Sequence, residues 1–299
     1  MDCDLPTGWN PSFAAHPRSW RDFAYVYAVV SRRSRGLSVG INLNVDQVCN
    51  FDCVYCQVNR QRPAGAEATM QAVDLERLRV ELQQMLAFIK CGAIWGEAEF
   101  AGVDAAYRRL NDIAFSGDGE PTAFADFDGA CRLVADEKAA AGLTDVRIVL
   151  ITNATMLDRA RTRAGLAILD ANQGEVWAKL DAGTQGYYER IDRSAVPLAK
   201  VLANIGACGR ERPMVIQTML LCMHGQAMPE SEWLAYVDRL RALRAGGCRI
   251  DRVQLYTVAR QTAEAWATAL FSGELAARAS ALRAALPGLE VEMFPGTER

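Results

Sequence analysis

Three cysteines stand at a spacing that suits iron–sulfur chemistry: Cys49, Cys53 and Cys56, with three intervening residues and then two. Nine cysteines scattered at random through 299 residues would give this spacing in roughly one chain in a hundred, so chance explains it poorly. Three thiolates on one short loop can bind three irons of a [4Fe–4S] cluster and leave the fourth iron without a protein ligand. We therefore predict a cluster whose open iron takes part in chemistry.

A second motif is a glycine turn that ends in an acid, with the sequence Ser-Gly-Asp-Gly-Glu-Pro-Thr at residues 116–122. Together with the cysteine loop, this turn resembles the motifs of radical S-adenosylmethionine (radical SAM) enzymes. Shorter stretches at residues 31–34, 180–182 and 254–257 are similar to the wyosine-synthase-like branch of that superfamily. The similarity extends over nearly the whole chain, although only the first two motifs are specific.

The resemblance implies two cofactors and a set of residues that hold them. A [4Fe–4S] cluster would be bound by the three cysteines, and S-adenosylmethionine (SAM) would chelate the open iron through its amino and carboxylate groups. Tyr55, the aromatic residue before the third cysteine, would lie near the adenine. The glycine turn would bind the methionyl ammonium through Gly117, Asp118, Gly119 and Glu120. Asp118 stands where the family most often has glycine.

Polar residues at the ends of further predicted strands are candidates for cofactor or substrate contacts, because ligands of parallel α/β sheets bind at the carboxyl ends of the strands. Asn153 follows the third predicted strand, where its side chain can reach the cofactor ribose. Lys179 and Asp181 share the inward face of the fourth, since side chains alternate along a strand. Lys179 either binds a carboxylate of SAM or substrate, or is merely neutralised by Asp181. Gln217 lies on the fifth predicted strand.

Strand-like and helix-like segments alternate along the chain, which predicts an α/β fold with right-handed crossovers and a parallel sheet. The predicted strands cover residues 36–43, 112–116, 146–152, 175–181, 213–221 and 251–258, and the predicted helices cover 74–90, 124–141, 156–170, 197–208 and 229–245. Six β/α units are too few to close an eight-stranded barrel. We therefore expect a partial (β/α)6 TIM-like barrel with an irregular N-terminal cap.

We expect the whole chain, residues 1–299, to form a single domain. Within it, residues 1–35 are predicted as the cap, residues 36–260 as the β/α core and residues 261–299 as a C-terminal extension. The extension is predicted to contain a helix near 274–286 and a strand at 289–293.

A structural zinc site is the alternative interpretation of the cysteine loop. Zinc takes four protein ligands in such sites, commonly as two pairs, whereas the other six cysteines stand singly. The wyosine synthases that the chain resembles carry additional cluster cysteines ahead of the main motif. Here only Cys3 precedes it, which argues against a second cluster.

Composition restricts the partners. The net charge is −3, with 33 basic and 36 acidic residues, so no global attraction to nucleic acid or to an anionic membrane is expected. No apolar run approaches the ~18 residues of a membrane-spanning helix, and no signal-peptide pattern opens the chain. We expect a cytoplasmic protein without a membrane partner.

The sequence predicts a radical SAM enzyme of unassigned reaction. The reduced cluster would cleave SAM to methionine and a 5′-deoxyadenosyl radical that abstracts hydrogen from a substrate, which we expect to be a small molecule. Flavodoxin or ferredoxin is the expected electron donor, with Arg60 and Arg62 as a docking point.

A tRNA-base-modifying, wyosine-type enzyme is the alternative function. The net charge disfavours it, because phosphate contacts dominate RNA affinity. A non-catalytic iron–sulfur electron carrier is the third possibility and would need four cluster ligands.

Overall fold

The computed structural model describes residues 20–58 and 73–296. Predictions that concern Cys3, Arg60, Arg62 and the first part of the cap lie outside the described residues. The described strands are β1 Val26–Ser31, β2 Gly36–Ile41, β3 Leu110–Phe115, β4 Arg147–Thr152, β5 Gly174–Lys179, β6 Met214–Met219, β7 Leu221–Met223, β8 Ile250–Tyr256, β9 Ala267–Ala269 and β10 Glu290–Phe294. The described α-helices are α1 Leu75–Lys90, α2 Phe127–Ala140, α3 Ala160–Asp170, α4 Gln185–Ile191, α5 Leu198–Glu211, α6 Glu230–Ala245 and α7 Ser272–Ala285.

Eight of the described strands form one curled sheet in the order β1-β2-β3-β4-β5-β6-β8-β10. β1 is antiparallel to β2, and every other neighbouring pair is parallel. The strands β2, β3, β4, β5, β6 and β8 correspond to the six predicted strands, so the predicted partial barrel is confirmed. β10 adds a further parallel strand, and β7 pairs with β9 in a separate antiparallel ribbon.

The prediction of an irregular cap through residue 35 is wrong for residues 26–31, which form the edge strand β1. The apolar run Val26–Val30 is buried throughout and shows no polar alternation, so the usual signal of a half-buried strand is absent. Glu81 of α1 fixes the start of the strand, since its carboxylate accepts hydrogen bonds from the backbone N–H groups of Ala24, Tyr25 and Val26 at 2.8, 2.8 and 3.2 Å. This contact depends on tertiary packing.

The helix α1 forms where the sequence predicts it. Asp74 caps its first turn by accepting hydrogen bonds from the backbone N–H groups of Glu76 and Arg77, a contact that contributes about 1 kcal/mol. The buried residues recur at helical spacing and face the sheet: Leu78, Leu82, Met85 and Leu86. Among the described helices, none is both long enough and apolar enough to cross a bilayer.

Side chains on the inner face of the curled sheet form a layer of their own. Ala114, Val149, Trp177 and Val215 make a small apolar cluster, separate from the main core that the helices cover. Next to it lies a charged network in which Glu175 pairs with Arg147 at 2.9 Å and with Arg252 at 2.8 Å. The interior of the partial barrel is therefore packed in part, and its remaining space forms the cavity described below.

The turn between β1 and β2 joins the two edges of the sheet. The guanidinium of Arg32 donates to the carbonyl of Pro295, just beyond β10. Arg35 forms an ion pair at 3.3 Å with Glu292 of β10. Since β1 and β10 are the outermost strands, these two contacts hold the open side of the partial barrel together.

Candidate active site

One cavity of about 270 Å³ brings together residues from the cysteine loop, the glycine turn and all eight strands of the curled sheet. Ten of the twelve site residues predicted from the sequence line it: Cys49, Cys53, Tyr55, Cys56, Gly117, Gly119, Glu120, Asn153, Lys179 and Gln217. The other two, Asp118 and Asp181, lie nearby and contact other protein groups. The cysteine loop, the glycine turn and Asn153 follow β2, β3 and β4 at the carboxyl ends of these strands, whereas Lys179 ends β5 and Gln217 lies within β6.

The cysteine loop has no regular structure of its own and is held by neighbouring segments. The backbone N–H of Asp52 donates to the carbonyl of Asp192 at 3.1 Å, and that of Val54 donates to the carbonyl of Ile191 at 2.9 Å. Beyond the third cysteine, the carbonyl of Cys56 accepts a hydrogen bond from the backbone N–H of Ala263 at 2.8 Å. The end of α4 and the segment after β8 therefore fix the loop from two sides.

Asn50, inside the cysteine loop, connects it to the end of β4. Its side-chain oxygen accepts from the amide of Asn153 at 2.7 Å, and its own amide donates to the hydroxyl of Thr155 at 2.7 Å. The hydroxyl of Thr155 in turn donates to the side-chain oxygen of Asn153 at 2.7 Å. Asn153 was predicted as a ribose contact; its side chain lines the cavity and also takes part in this closed triangle.

The three thiols fit a [4Fe–4S] cluster better than a single metal ion. All three line the same cavity, and no three His, Cys, Asp or Glu side chains in residues 20–58 and 73–296 converge closely enough to hold one ion. A cluster takes one thiolate for each of three irons, so its ligands need not converge on one point. Burial raises the pKa of the Cys53 thiol well above its usual value, and this thiol donates to Asp192 at 3.4 Å.

The glycine turn packs directly against the segment that leads into the cysteine loop. A Cβ atom on Gly117 would lie 2.3 Å from the side-chain oxygen of Asn42, and one on Gly119 would lie 2.2 Å from the carbonyl oxygen of Val48. Both distances are shorter than any normal contact, so glycine is required by protein packing at both positions. Asp118 bonds to the same segment, because its carboxylate accepts from the amide of Asn42 at 2.8 Å.

Glu120 is buried, and its carboxylate is already fully hydrogen-bonded. One oxygen accepts from the N–H and hydroxyl of Thr122 and from the hydroxyl of Thr152, at 3.2, 2.5 and 2.6 Å. The other accepts from the backbone N–H of Asn153 at 2.7 Å. Burial raises the pKa of Glu120, while these hydrogen bonds oppose the shift. Its visible role is to tie the glycine turn to the end of β4.

Tyr55, Lys179 and Asp181 form a second cluster beside the cysteines. The Tyr55 hydroxyl donates to Asp181, and the Lys179 ammonium lies 4.3 Å from the centre of the Tyr55 ring and 3.8 Å from Asp181. The other oxygen of Asp181 accepts from the backbone N–H of Met219 at 2.7 Å. Burial alone would lower the pKa of Lys179. The neighbouring Tyr256, Cys53, Asp181 and Asp192 together raise this pKa, so Lys179 stays protonated.

Several residues of the site are not among those predicted from the sequence. Asp192 contacts both Cys53 and the Tyr55 hydroxyl, yet it stands alone at the end of the short helix α4. Burial and the neighbouring charge of Asp181 raise the pKa of Asp192. Asp112 and Arg33 also line the cavity, from the middle of β3 and from the turn after β1. No spacing rule points to them, because tertiary contacts alone bring them to the cavity.

The chain is similar in sequence to known proteins. A relative described as GTPase Obg, from Brachyspira hyodysenteriae, is 26% identical over 253 residues, which cover 83% of this chain but only 32% of that protein. UPF0026 protein slr1464, from Synechocystis, is 29% identical over 236 residues, which cover 77% of this chain and 76% of that protein. The chain thus spans about a third of the length of the first relative and about three quarters of the second.

A solved structure and a family model extend the comparison. The structure of TYW1 with a lysine-pyruvate adduct bound superposes with a TM-score of 0.50 at 16% identity, covering 84% of this chain and 74% of that one, and at this identity it shows the fold alone. The family model described as the Radical SAM superfamily matches residues 43–235, from just before the cysteine loop into α6. This match covers more than half of the chain, so the chain belongs to the radical SAM superfamily.

Proposed function

We propose that this chain is a radical SAM enzyme that binds a [4Fe–4S] cluster through Cys49, Cys53 and Cys56 and acts on a small-molecule substrate. When bound, the cluster and SAM supply the one-electron cleavage of the sulfonium that yields methionine and a 5′-deoxyadenosyl radical, which abstracts a hydrogen atom from the substrate. The observation that carries the proposal is the meeting of ten sequence-predicted residues in one cavity. Membership of the superfamily supports an enzymatic role.

The chain's own residues hold and orient the reactants. The cysteine loop is fixed by α4, by the segment after β8 and by Asn50, so its thiols are positioned before a cluster binds. The backbone of the glycine turn faces the cavity at Gly117 and Gly119 and would receive the methionyl ammonium of SAM. Glu120 acts as a positioning residue for this turn, because its oxygens are engaged by Thr122, Thr152 and Asn153.

Lys179 is the group that we assign to a carboxylate of SAM. Its ammonium lines the cavity next to Tyr55 and is held by Asp181, so it offers a fixed positive charge. Asp181 itself contacts Tyr55, Lys179 and a backbone N–H, and we assign it to positioning Tyr55 and Lys179. Asp118 is likewise assigned to positioning, because Asn42 donates to its carboxylate.

The proposal is tested anaerobically. The protein is reconstituted with iron and sulfide, reduced with dithionite, supplied with SAM and assayed for 5′-deoxyadenosine. Cys53→Ala should abolish both the cluster and the product, whereas Cys91→Ala is the matched control, because Cys91 is exposed on the far end of α1 and outside the cavity. Wild-type protein that holds an intact cluster but forms no 5′-deoxyadenosine above the Cys53→Ala background would contradict the proposal.

A further inference from the structure

Arg33 extends into the partial barrel from the turn that joins β1 and β2. Its guanidinium carbon lies 5.0 Å from the centre of the Tyr256 ring and 6.0 Å from that of Trp177, and the side chain lines the cavity. Tyr256 lies on β8 and Trp177 on β5, the two strands that flank β6 in the sheet. Arg33 therefore lies across the inner face of β6, on which Gln217 stands.

Arg33 differs from Arg32, Arg35 and Lys179 in having neither an ion pair nor a hydrogen bond within the described residues. Arg32 donates to the carbonyl of Pro295, Arg35 pairs with Glu292, and Lys179 lies 3.8 Å from Asp181. In the described part of the chain, the Arg33 guanidinium makes contacts with the faces of two aromatic rings and neither an ion pair nor a hydrogen bond. A guanidinium stacked in this way keeps its N–H groups available for a planar oxyanion.

The charges of the lining residues also favour an anion. In the described residues, the cavity is lined by four cationic side chains, Arg32, Arg33, Lys179 and Arg260, and by two acids, Asp112 and Glu120. Glu120 is engaged by four hydrogen bonds, and the Ser38 hydroxyl donates to Asp112. Burial, and to a smaller extent the charge of Arg33, lower the pKa of Arg32 to about 10.

Gln217 provides an independent sign of a missing ligand. Glu292 accepts a hydrogen bond from the amide of Gln254 at 2.9 Å, and the side-chain oxygen of Gln254 accepts from the amide of Gln217 at 2.8 Å. A carboxylate can only accept hydrogen bonds, so the amide of Gln254 must donate to Glu292 and the amide of Gln217 must donate to Gln254. The side-chain oxygen of Gln217 is therefore left as an unused acceptor. That oxygen has no partner in the described residues, although Gln217 is 0% exposed and lines the cavity.

A second unpartnered atom belongs to Asp112, which also lines the cavity. One carboxylate oxygen of Asp112 accepts from Ser38, whereas the other has no partner in the part of the chain that the structure describes, and the residue is 1% exposed. A buried polar atom left without a hydrogen bond costs about 1–3 kcal/mol. Two such atoms in one cavity indicate that a polar ligand normally forms hydrogen bonds with them.

We infer that the substrate of this site is a small oxyanion with a hydroxyl or amino group next to it, bound by Arg33 through the oxyanion and by the Gln217 side-chain oxygen through the donor. The inference rests on the proposed function and adds the chemical class of its substrate. Arg33 supplies the planar N–H pair that matches a carboxylate or a phosphate. Gln217 supplies the acceptor that an adjacent O–H or N–H requires.

The inference is tested by anaerobic titration calorimetry on the reconstituted enzyme with SAM present and without reductant, so that no turnover occurs. The probes are lactate and glycerol 3-phosphate, which each carry an oxyanion with a neighbouring hydroxyl, propionate, which lacks the hydroxyl, and lactamide, which lacks the charge. At least one of the first two should bind with a Kd of about 10 mM or below. Propionate and lactamide should bind at least about tenfold more weakly than lactate if the carboxylate is the preferred anion.

Two variants and a control locate the binding. Arg33→Gln should lower the affinity for the anion at least about tenfold and leave the affinity for SAM unchanged. Gln217→Met should bring the affinity for lactate down to that for propionate. Arg109→Gln is the matched control, because Arg109 is exposed just before β3 and does not line the cavity. Its affinities should match the wild type.

Three outcomes would overturn the inference: neither hydroxylated anion binds, Arg33→Gln binds it as tightly as the wild type, or Arg33→Gln loses affinity for SAM instead. The last result would assign Arg33 to the cofactor's own carboxylate and would leave the proposed function intact. Failure of the proposed function has a different signature, namely anion binding that depends on Arg33 in a protein that makes no 5′-deoxyadenosine.

Discussion

The side chain of Asn153 donates a hydrogen bond at 2.7 Å to the side chain of Asn50, and so joins the end of β4 to the middle of the cysteine loop. The two residues are separated by 103 positions in the sequence. Through Glu120, which accepts from the backbone N–H of Asn153, the glycine turn is connected to the same point. The loop that carries the predicted cluster ligands and the predicted SAM-binding turn are therefore connected by hydrogen bonds through Asn153.

Asn153→Ala should loosen the cysteine loop. The change removes the donor to Asn50 and the acceptor for Thr155, and buried hydrogen bonds contribute about 1 kcal/mol each. We expect a stability loss of about 1–3 kcal/mol and less iron retained per chain after gel filtration of the reconstituted protein. Asn172→Ala, at an amide that bonds only to a carbonyl at the end of α3, is the control. Equal iron retention in the two variants would contradict the prediction.

Gly119→Ala should displace the cysteine loop, because the new Cβ would lie 2.2 Å from the carbonyl oxygen of Val48. Overpacking of this kind costs about 1–3 kcal/mol, and the shift should impair cluster binding. Gly186→Ala in α4 is the matched control, since no atom lies within 4 Å of the position that its new methyl group would take and alanine favours a helix. The thermal midpoint and the iron content should fall in the first variant only; a fall of similar size in both would refute the steric argument.

Lys179→Met should weaken SAM binding at least about tenfold and leave the cluster in place. The substitution keeps most of the side-chain volume but removes the charge that lies beside Tyr55 and Asp181. Equilibrium binding of SAM to the reconstituted variant measures the effect, and iron content confirms that the cluster is present. Unchanged affinity together with unchanged 5′-deoxyadenosine formation would leave Lys179 as a neutraliser of Asp181 only.

Asp112→Asn should stabilise the protein increasingly as the pH rises. Burial raises the pKa of Asp112, so the folded protein holds a proton on this group that the unfolded chain has already released. Above the unfolded pKa of 3.8, wild-type stability therefore falls as the pH rises toward the folded pKa, whereas the asparagine variant lacks this loss. Thermal midpoints of the two proteins, measured from about pH 4 upward, test the sign. A difference that shrinks with rising pH, or that stays constant over the whole range, would contradict it.

The sequence predicts the local parts of the site well and the tertiary parts poorly. Cys49, Cys53 and Cys56 are found because their spacing alone carries the chemistry, and Lys179 because side chains alternate along a strand. Asp192 is missed because its contact with Cys53 joins residues 139 positions apart. Glu120 is identified, but its hydrogen bonds to Thr152 and Asn153 of another strand end are invisible in the sequence.

The same distinction holds for the fold. The alternation of strands and helices predicts the six parallel strands, whereas β1 is missed because its buried apolar residues show no period. The short helix α4 is missed because seven residues give less than a full periodic pattern. The domain limits 1–35, 36–260 and 261–299, the cytoplasmic location and the electron donor stay predictions.

The joining of β1 to β10 by Arg32 and Arg35 bears on the solubility of the protein. An outermost strand with a continuous apolar run such as Val26–Val30 is a template for pairing between molecules when its free edge is uncovered. The two arginines connect the turn after β1 to β10 and so close the sheet next to this edge, and Arg32 also lines the cavity. Arg35→Ala should therefore promote aggregation, seen as light scattering at temperatures below the unfolding transition, and a variant that stays monodisperse up to that transition would count against this protective role.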